Sequence, residues 1–378
     1  MRETSVDTLV IGAGVAGLAV AYRLAHRRGE RIAVVDQAAA LGDHASGRNA
    51  GMVRQALADP LLVRMARQGR EELGRLSGKN WKGLRFRSIG SMLLAKGAEI
   101  EELRRTASAL KKERIDHQWL SPQDASRRVF LLQGGDFEQA LFCPSDAVVE
   151  IQSLLQGFVR ELRARRVLVH LGLGLRGIVR TRCGFCVQAG SKRFFAAKIV
   201  NAAGAWASLV GAMAGGQRIP LTAYRRHLFY TGPMKIGRHW PFVWDVSHDF
   251  YFRPSGNGLL MSPCDKEPVR LRAKDAGKGE RTDTRMKRIL VGKLALFSDR
   301  LSRISPVGSK AGLRTLAPDG RFVIGEDRTL RGFFWVAGLG GHGVTTCFSV
   351  GRLAGDIILG RQVNQSLVKA FSPRRFLK

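Results

Sequence analysis

Apolar and polar positions along the chain alternate between strand-like runs and helical spacing, and the runs recur at intervals. Leu9, Val10 and Ile11 form a short unbroken apolar run, the pattern of a strand buried on both faces of a parallel sheet. Leu18 to His26 continues it as a helix, and Arg31 to Val35 is a second apolar strand that stops at Asp36. From Phe86 the pattern changes: SIGSMLLAK predicts a strand, Glu99 to Lys112 a helix, and SPQDASRRV a capped turn into a short helix. Val148 to Arg166 predicts a long amphipathic helix, followed by strands in VLVHLG, GIVRTR, FCVQAG and AAKIVN. Thr222 to Phe252 is aromatic and strand-like, and Lys266 to Arg303 is basic with helical spacing. Residues 312 to 320 turn into FVIG, and residues 332 to 359 give strand, glycine turn and long helix. The pattern predicts an α/β fold: a Rossmann-like nucleotide-binding domain in three pieces (1–85, 147–221 and 308–378). An α+β substrate domain with a mixed or antiparallel sheet (86–146 and 222–307) is inserted twice.

The strongest chemical signal joins the first two strands. Gly12 permits a tight turn, Gly14 lets a pyrophosphate approach the backbone, and Gly17 lets the helix pack against the sheet. The N-terminus of that helix favours anions. Asp36, about twenty residues past the third glycine, is placed to accept from ribose hydroxyls. A second glycine-rich strand–turn–helix, Gly338-Leu-Gly340-Gly341-His342-Gly343, recurs near the other end of the sequence.

Composition adds bounds. The 378 residues, 45% hydrophobic, suffice for two domains. No run of about eighteen apolar residues occurs, so no transmembrane helix is expected. The absence of a basic-then-apolar leader predicts the cytoplasm. Five cysteines argue against a disulfide framework, and Cys183-Gly-Phe-Cys186, read at a hairpin tip, lacks partners for a metal site. The net charge of +31 would suit a solvated basic surface or peripheral contact with anionic membrane lipid. The basic residues are spread out and not interleaved with aromatics, so a nucleic-acid partner is not expected.

Five segments together resemble the D-amino-acid oxidase-like family of FAD-dependent oxidoreductases: VIGAGVAGLAVAYRL with Asp36, HASGRNAG, VNAAGAWA, GLRTLAPDGRFVIG and FFWVAGLGGHGVTT. The resemblance spans nearly the whole chain and looks nearest to the D-arginine and D-amino-acid dehydrogenase branch, with glycine and sarcosine oxidases as neighbours. It implies FAD. Around the first glycine turn the implied cofactor residues are Gly12, Gly14, Ala16, Gly17, Asp36 and Gln37. In the small polar loop they are Ser46, Arg48, Asn49, Ala50 and Gly51. Leu175, Ala203, Gly204 and Trp206 contribute from the middle of the chain. Gly338, Gly341, His342, Gly343, Val344 and Thr345 contribute from the second glycine turn. Arg48 and Gly312 stand where relatives attach flavin covalently, so the expected FAD is non-covalent.

The resemblance also implies a substrate site. Arg314 corresponds to the carboxylate-binding arginine, Tyr251 to a phenol donor and Arg226 to a second arginine, with His342 beside them. Met52, Leu57 and Ser91 replace side chains that the D-arginine branch uses for a cationic substrate. Met52, Leu57, Met92 and Phe229 are therefore expected as apolar walls, while Arg54 would admit an acidic side chain. The implied reaction is oxidation of the Cα–N bond of a carboxylate-bearing amino acid or secondary amine, with oxygen or a quinone taking the electrons. Oxidation of a 2-hydroxy acid and flavin-dependent tRNA modification are the alternatives.

Overall fold

A computed structural model describes residues 2–237, 239–272 and 280–376. In the first large sheet, Leu168–His170, Ile32–Val35, Arg2–Ile11, Lys192–Asn201 and Phe333–Ala337 lie side by side and parallel. The hairpin Leu175–Thr181 with Gly184–Ala189 extends the lower half of Lys192–Asn201, and Val323–Glu326 pairs antiparallel with Phe333–Ala337. Ile32–Val35 and Phe333–Ala337 are buried throughout, as a sheet covered on both faces requires. The helix Val15–Leu24 and the helix Gly343–Ile358 cross so closely that a Cβ on Gly351 would collide with the Ala19 carbonyl. Tyr22, Trp81, Phe158 and Phe348 meet beneath them, mostly edge to face, which suits the quadrupoles of aromatic rings.

The second large sheet is mixed. Its order is Glu267–Val269, Thr222–Thr231, Gly258–Ser262, Phe250–Ser255, Phe242–Asp245, Ser91–Ala95, Gln139–Cys143 and Gln118–Leu120. Pro306–Leu316 runs antiparallel along the other side of Thr222–Thr231. Side chains alternate between the two faces. One face carries Met92, Phe229, Phe252 and Met261, which form a core with Leu290, Leu294 and Phe297 of the helix Thr284–Phe297. The other carries Leu228, Tyr251 and Leu260, with Trp244 packed against them.

The structure redraws several elements. Val148–Arg166 is not one helix: Ala147–Val149 is a strand, and the helix begins at Ile151 with Glu150 as N-cap, its carboxylate accepting from Ser153 N. Within Lys266–Arg303, Glu267–Val269 is a strand, the helix starts at Thr284, and residues 273–279 lie outside the described residues. Gly312 and Arg314, read as a turn in the nucleotide-binding unit, sit inside the eleven-residue strand Pro306–Leu316 of the second sheet. Only pairing with the distant Thr222–Thr231 reveals that strand, because its basic, small-residue start carries no period-2 pattern of its own.

Candidate active site

One large cavity, about 310 Å³, runs from the ends of the parallel strands to the inner face of the second sheet. At its inner end lie Gly12 to Ala16, Asp36 and Gln37. Ser46, Leu175, Ala203, Gly204 and Trp206 line the same reach. Arg226, Leu228, Tyr251 and Arg314 line the outer reach, and Gly338, Gly340 and Gly341 reach it from the second glycine turn.

The inner end follows from its local chemistry. Gly12 adopts φ 111°, and a Cβ there would meet the Ala202 carbonyl, so only glycine lets the turn close. Gly17 is not a cavity wall; a side chain there would strike the Gly12 carbonyl, so its role is the close packing of helix on strand. The Asp36 carboxylate accepts from Ala13 N at 2.6 Å and Ala38 N at 2.8 Å, which aims it at the turn. Ser46 Oγ accepts from Val15 N at 3.0 Å and so stands at the helix N-terminus with its hydroxyl hydrogen free to donate.

The Ser46–Gly51 loop divides its labour. Arg48 lines the cavity with its Nε already engaged: it donates to the Asp43 carbonyl at 2.6 Å and lies 3.6 Å from Glu280. Asn49 folds back on its own loop, donating to the Ala45 and Ser46 carbonyls and accepting from Gly51 N at 2.7 Å. It shapes the wall that Ala50 and Gly51 complete. Thr345 also lies off the wall, its hydroxyl donating to the Met52 carbonyl and accepting from Arg54 N. It ties the second glycine-led helix to the strand Met52–Val53. Gly343 and Val344 do line the cavity.

Sequence reasoning missed a cluster beside the loop. His44 Nδ1 lies 2.9 Å from the buried Glu280, and its ring packs 4.6 Å from that of Trp206. Burial opposes charging of His44, but the hydrogen bond to Glu280 and its charge outweigh it and hold the imidazole above its usual range. Glu280 had no local signal, because it sits in a stretch whose pattern is dominated by basic residues.

The outer end collects donors. Arg226 stands opposite Gly312 in the antiparallel ladder and Arg314 opposite Tyr224, so both arginines share one face of the sheet. Tyr251 shares it too, across from Ser262 and beside Trp244, whose ring lies 4.7 Å away. Gly341, at φ 92°, leaves the space that the Arg314 guanidinium fills; a Cβ would stand 3.0 Å from Cζ. Burial, then the charge of Arg226, pulls the Arg314 guanidinium down to about 10, so it remains charged at neutral pH. Burial likewise raises the Tyr251 phenol. His342, at the start of the helix Gly343–Ile358, is not a cavity wall; burial and the charges of Arg54 and Arg314 push its imidazole down to about 3, so it is neutral.

The expected apolar walls are mostly elsewhere. Met52 lines the cavity, but Phe229 and Met92 point to the opposite sheet face and Leu57 packs in the helical core. Strand alternation is the reason: Leu228, the neighbour of Phe229, faces the cavity instead. Ser91 is also remote, donating to the buried Asp146 at 2.7 Å. Cys183 and Cys186 lie on the hairpin, both free. Among the described residues no His, Cys, Asp or Glu cluster could hold a metal ion, and no helix is long and apolar enough to cross a membrane.

The cavity leaves buried polar atoms unmatched. Arg226 Nε and Nη1, Tyr251 Oη and Trp206 Nε1 have no hydrogen-bond partner. Each such donor costs about 1–3 kcal/mol if nothing meets it, so a polar ligand belongs against this wall. With the glycine turn, helix N-terminus and Asp36 at the other end, these residues fit an adenine dinucleotide lying beside a small anionic substrate.

Comparison with known proteins gives the family and the fold. The rat mitochondrial dimethylglycine dehydrogenase is 25% identical over 98% of this chain and 45% of its own length. Human peroxisomal sarcosine oxidase is 25% identical over 92% of this chain and 90% of its own. The chain thus spans under half of the mitochondrial relative and most of the peroxisomal one. Among solved structures, L-proline dehydrogenase from P. horikoshii superposes with a TM-score of 0.88 at 21% identity, covering 100% of this chain and 98% of that one. Glycine oxidase from Geobacillus kaustophilus gives 0.82 at 23%, covering 99% and 100%. None of these relatives supports the narrower placement beside D-arginine dehydrogenases. The family profile of the FAD-dependent oxidoreductases called DAO matches residues 7–357, and the chain belongs to that FAD-binding family.

Proposed function

We propose that the protein oxidises the Cα–N bond of a small amino acid or secondary amine that carries a carboxylate. The observation that carries this reading is the pairing of Arg314 and Tyr251 on one face of the cavity, with unmatched donors beside them. Arginine's planar fork matches a carboxylate bidentately, and a phenol adds a third donor. The relatives named for dimethylglycine, sarcosine, glycine and proline act on such amines.

The residues divide the work. Gly12 to Ala16, Asp36 and Ser46 would hold the adenosine and pyrophosphate of FAD. Trp206, Gly51, Gly338 and Val344 would border the flavin, without a covalent link. When bound, FAD supplies the two-electron acceptor for the substrate's Cα hydrogen. Arg314 and Tyr251 fix the carboxylate and thereby the orientation of that carbon. The cavity-lining acids are Asp36 and Asp43, both at the nucleotide end, and His342 is a weak base. The substrate amine therefore enters as the free base, losing its proton to solvent before the C–H bond breaks. The product imine then takes up water to give a 2-oxo acid and an amine. Stereochemical preference for the D form, oxygen or a quinone as final acceptor, and peripheral contact with anionic lipid in the cytoplasm belong to this proposal as its finer parts.

The test is anaerobic bleaching of the purified protein's flavin colour by a panel of D- and L-amino acids, N-methylglycine, proline and 2-hydroxy acids, with assay for 2-oxo acid. Bleaching by carboxylated amines and not by hydroxy acids is the expected result. Bleaching by hydroxy acids alone would replace this reading with the alternative.

A further inference from the structure

We propose that Leu228 and Met52 set the size and polarity of the substrate: they form an apolar wall that receives a short hydrocarbon group, carried on Cα or on the nitrogen, and exclude charged or bulky substituents. The inference rests on the amine reading above and narrows its substrate class.

Leu228 and Met52 line the same cavity as Arg226, Tyr251 and Arg314. In the strand Thr222–Thr231, Arg226 and Leu228 stand two positions apart, so both project from the sheet face that bounds the cavity. Successive residues on one face of a strand are roughly 7 Å apart, a spacing that a carboxylate and two or three further carbons span. The register sets Gly312 opposite Arg226 and Lys310 opposite Leu228. Leu228 is 1% exposed and belongs to one packed cluster with Ala50, Tyr251 and Leu260. Met52 closes against that cluster from the strand Met52–Val53, where its carbonyl accepts from the Thr345 hydroxyl at 3.3 Å.

This wall offers contact and no charge. The acids that line the cavity, Asp36 and Asp43, are at the nucleotide end. Arg54, expected to admit an acidic side chain, does not line the cavity; its Cζ lies 4.2 Å from the centre of the Trp244 ring, which is not a cavity wall either. A cationic substituent would face Arg226 and Arg314, and an anionic one laid on Leu228 and Met52 would lose its water without gaining a partner. Buried in its cluster, Leu228 resists displacement by a larger group. One added or missing methylene in an apolar pocket changes selectivity roughly tenfold to two-hundredfold. Two side chains that meet the same group are therefore enough to rank substrates by size.

The test has two arms on the purified flavoprotein. In the first, acetate, propionate, butyrate and hexanoate are compared with malonate and 3-aminopropanoate as non-oxidised ligands, by perturbation of flavin absorbance. Binding is expected to tighten at least tenfold from acetate to propionate or butyrate and to weaken again at hexanoate, with the two charged ligands at least tenfold weaker than butyrate. Leu228→Ala should move the optimum to a longer chain. Met52→Ala, at a half-buried position, gives the same reading should Leu228→Ala fail to fold. In the second arm, kcat/KM is measured for alanine, 2-aminobutyrate and norvaline, and for N-methyl-, N-ethyl- and N-propylglycine. The norvaline-to-alanine ratio or the N-propyl-to-N-methyl ratio should rise at least tenfold in either variant, and the series that responds identifies the substituent that meets the wall. Indifference to chain length, tightest binding of malonate, or ratios that neither variant moves overturns the inference while leaving the amine reading intact. A chain-length optimum that shifts in the variants without oxidation of any amine upholds the wall and overturns the amine reading.

Discussion

At the residue scale, the site works by placing charge where water is excluded. Tyr251 is buried with its hydroxyl unmatched. A hydrogen bond from it to a carboxylate is worth about 1.5–3 kcal/mol. Tyr251→Phe should therefore raise KM for carboxylated substrates roughly tenfold to a hundredfold, in steady-state kinetics, while flavin content stays unchanged. His342 is held neutral at about 3, so it contributes no ionisation between pH 5 and 9. The account predicts that kcat/KM rises with pH along one proton, and that the midpoint moves with the amine pKa when the substrate is changed. A fixed midpoint near 6.5 for every substrate would instead assign the proton to a histidine. His44 gives the opposite signature in stability. Its pKa is raised in the fold by Glu280, so the pair's contribution is fully present below the unfolded histidine value and is lost as pH rises through the folded one. The melting-temperature gap between wild type and Glu280→Gln should thus be larger at pH 6 than at pH 9.

At the element scale, glycine-mediated contacts set the cavity's geometry. Gly351 lets its helix lie against Ala19 of the helix Val15–Leu24, and Gly69 of the helix Pro60–Arg75 leaves room for the Thr345 carbonyl, so the helix Gly343–Ile358 packs closely against both neighbouring helices. Gly351→Ala should cost about 1–3 kcal/mol by overpacking, read as a lower denaturant midpoint, with weaker flavin retention as the first helix is displaced. This scale also shows what was legible in the sequence. Parallel strands and the glycine turns announce themselves locally, because Leu9 to Ile11 and Gly12 to Gly17 carry burial and backbone demands in adjacent residues. The strand Pro306–Leu316 did not, since its identity depends on a partner eighty residues away. Arg226, Tyr251 and Arg314 were legible only through family resemblance, and the roles of Trp244 and Glu280 were not legible at all. Strand parity, once the sheet is known, explains why Leu228 and not Phe229 meets the cavity.

At the scale of the whole molecule, two sheets from interleaved segments close on one cavity, with the nucleotide end and the carboxylate end contributed by different layers. The +31 charge surrounds that arrangement. If the basic surface meets an anionic bilayer, as proposed, sedimentation with phosphatidylglycerol vesicles should be strong at low salt and vanish as ionic strength passes about 0.5 M, where the screening length falls to a few ångströms. Equal sedimentation with neutral vesicles would remove lipid from the account. The central claim is that a buried guanidinium captures the acid group of an amine beside the flavin. Its most direct measurement is the rate of anaerobic flavin reduction by an amine with and without its carboxylate, N-methylglycine against dimethylamine, in wild type and in Arg314→Ala. The account predicts that the carboxylate speeds reduction at least a hundredfold in the wild type, and that the yet-yellow variant loses that advantage. Equal reduction of the two amines, or an advantage that survives Arg314→Ala, would contradict it.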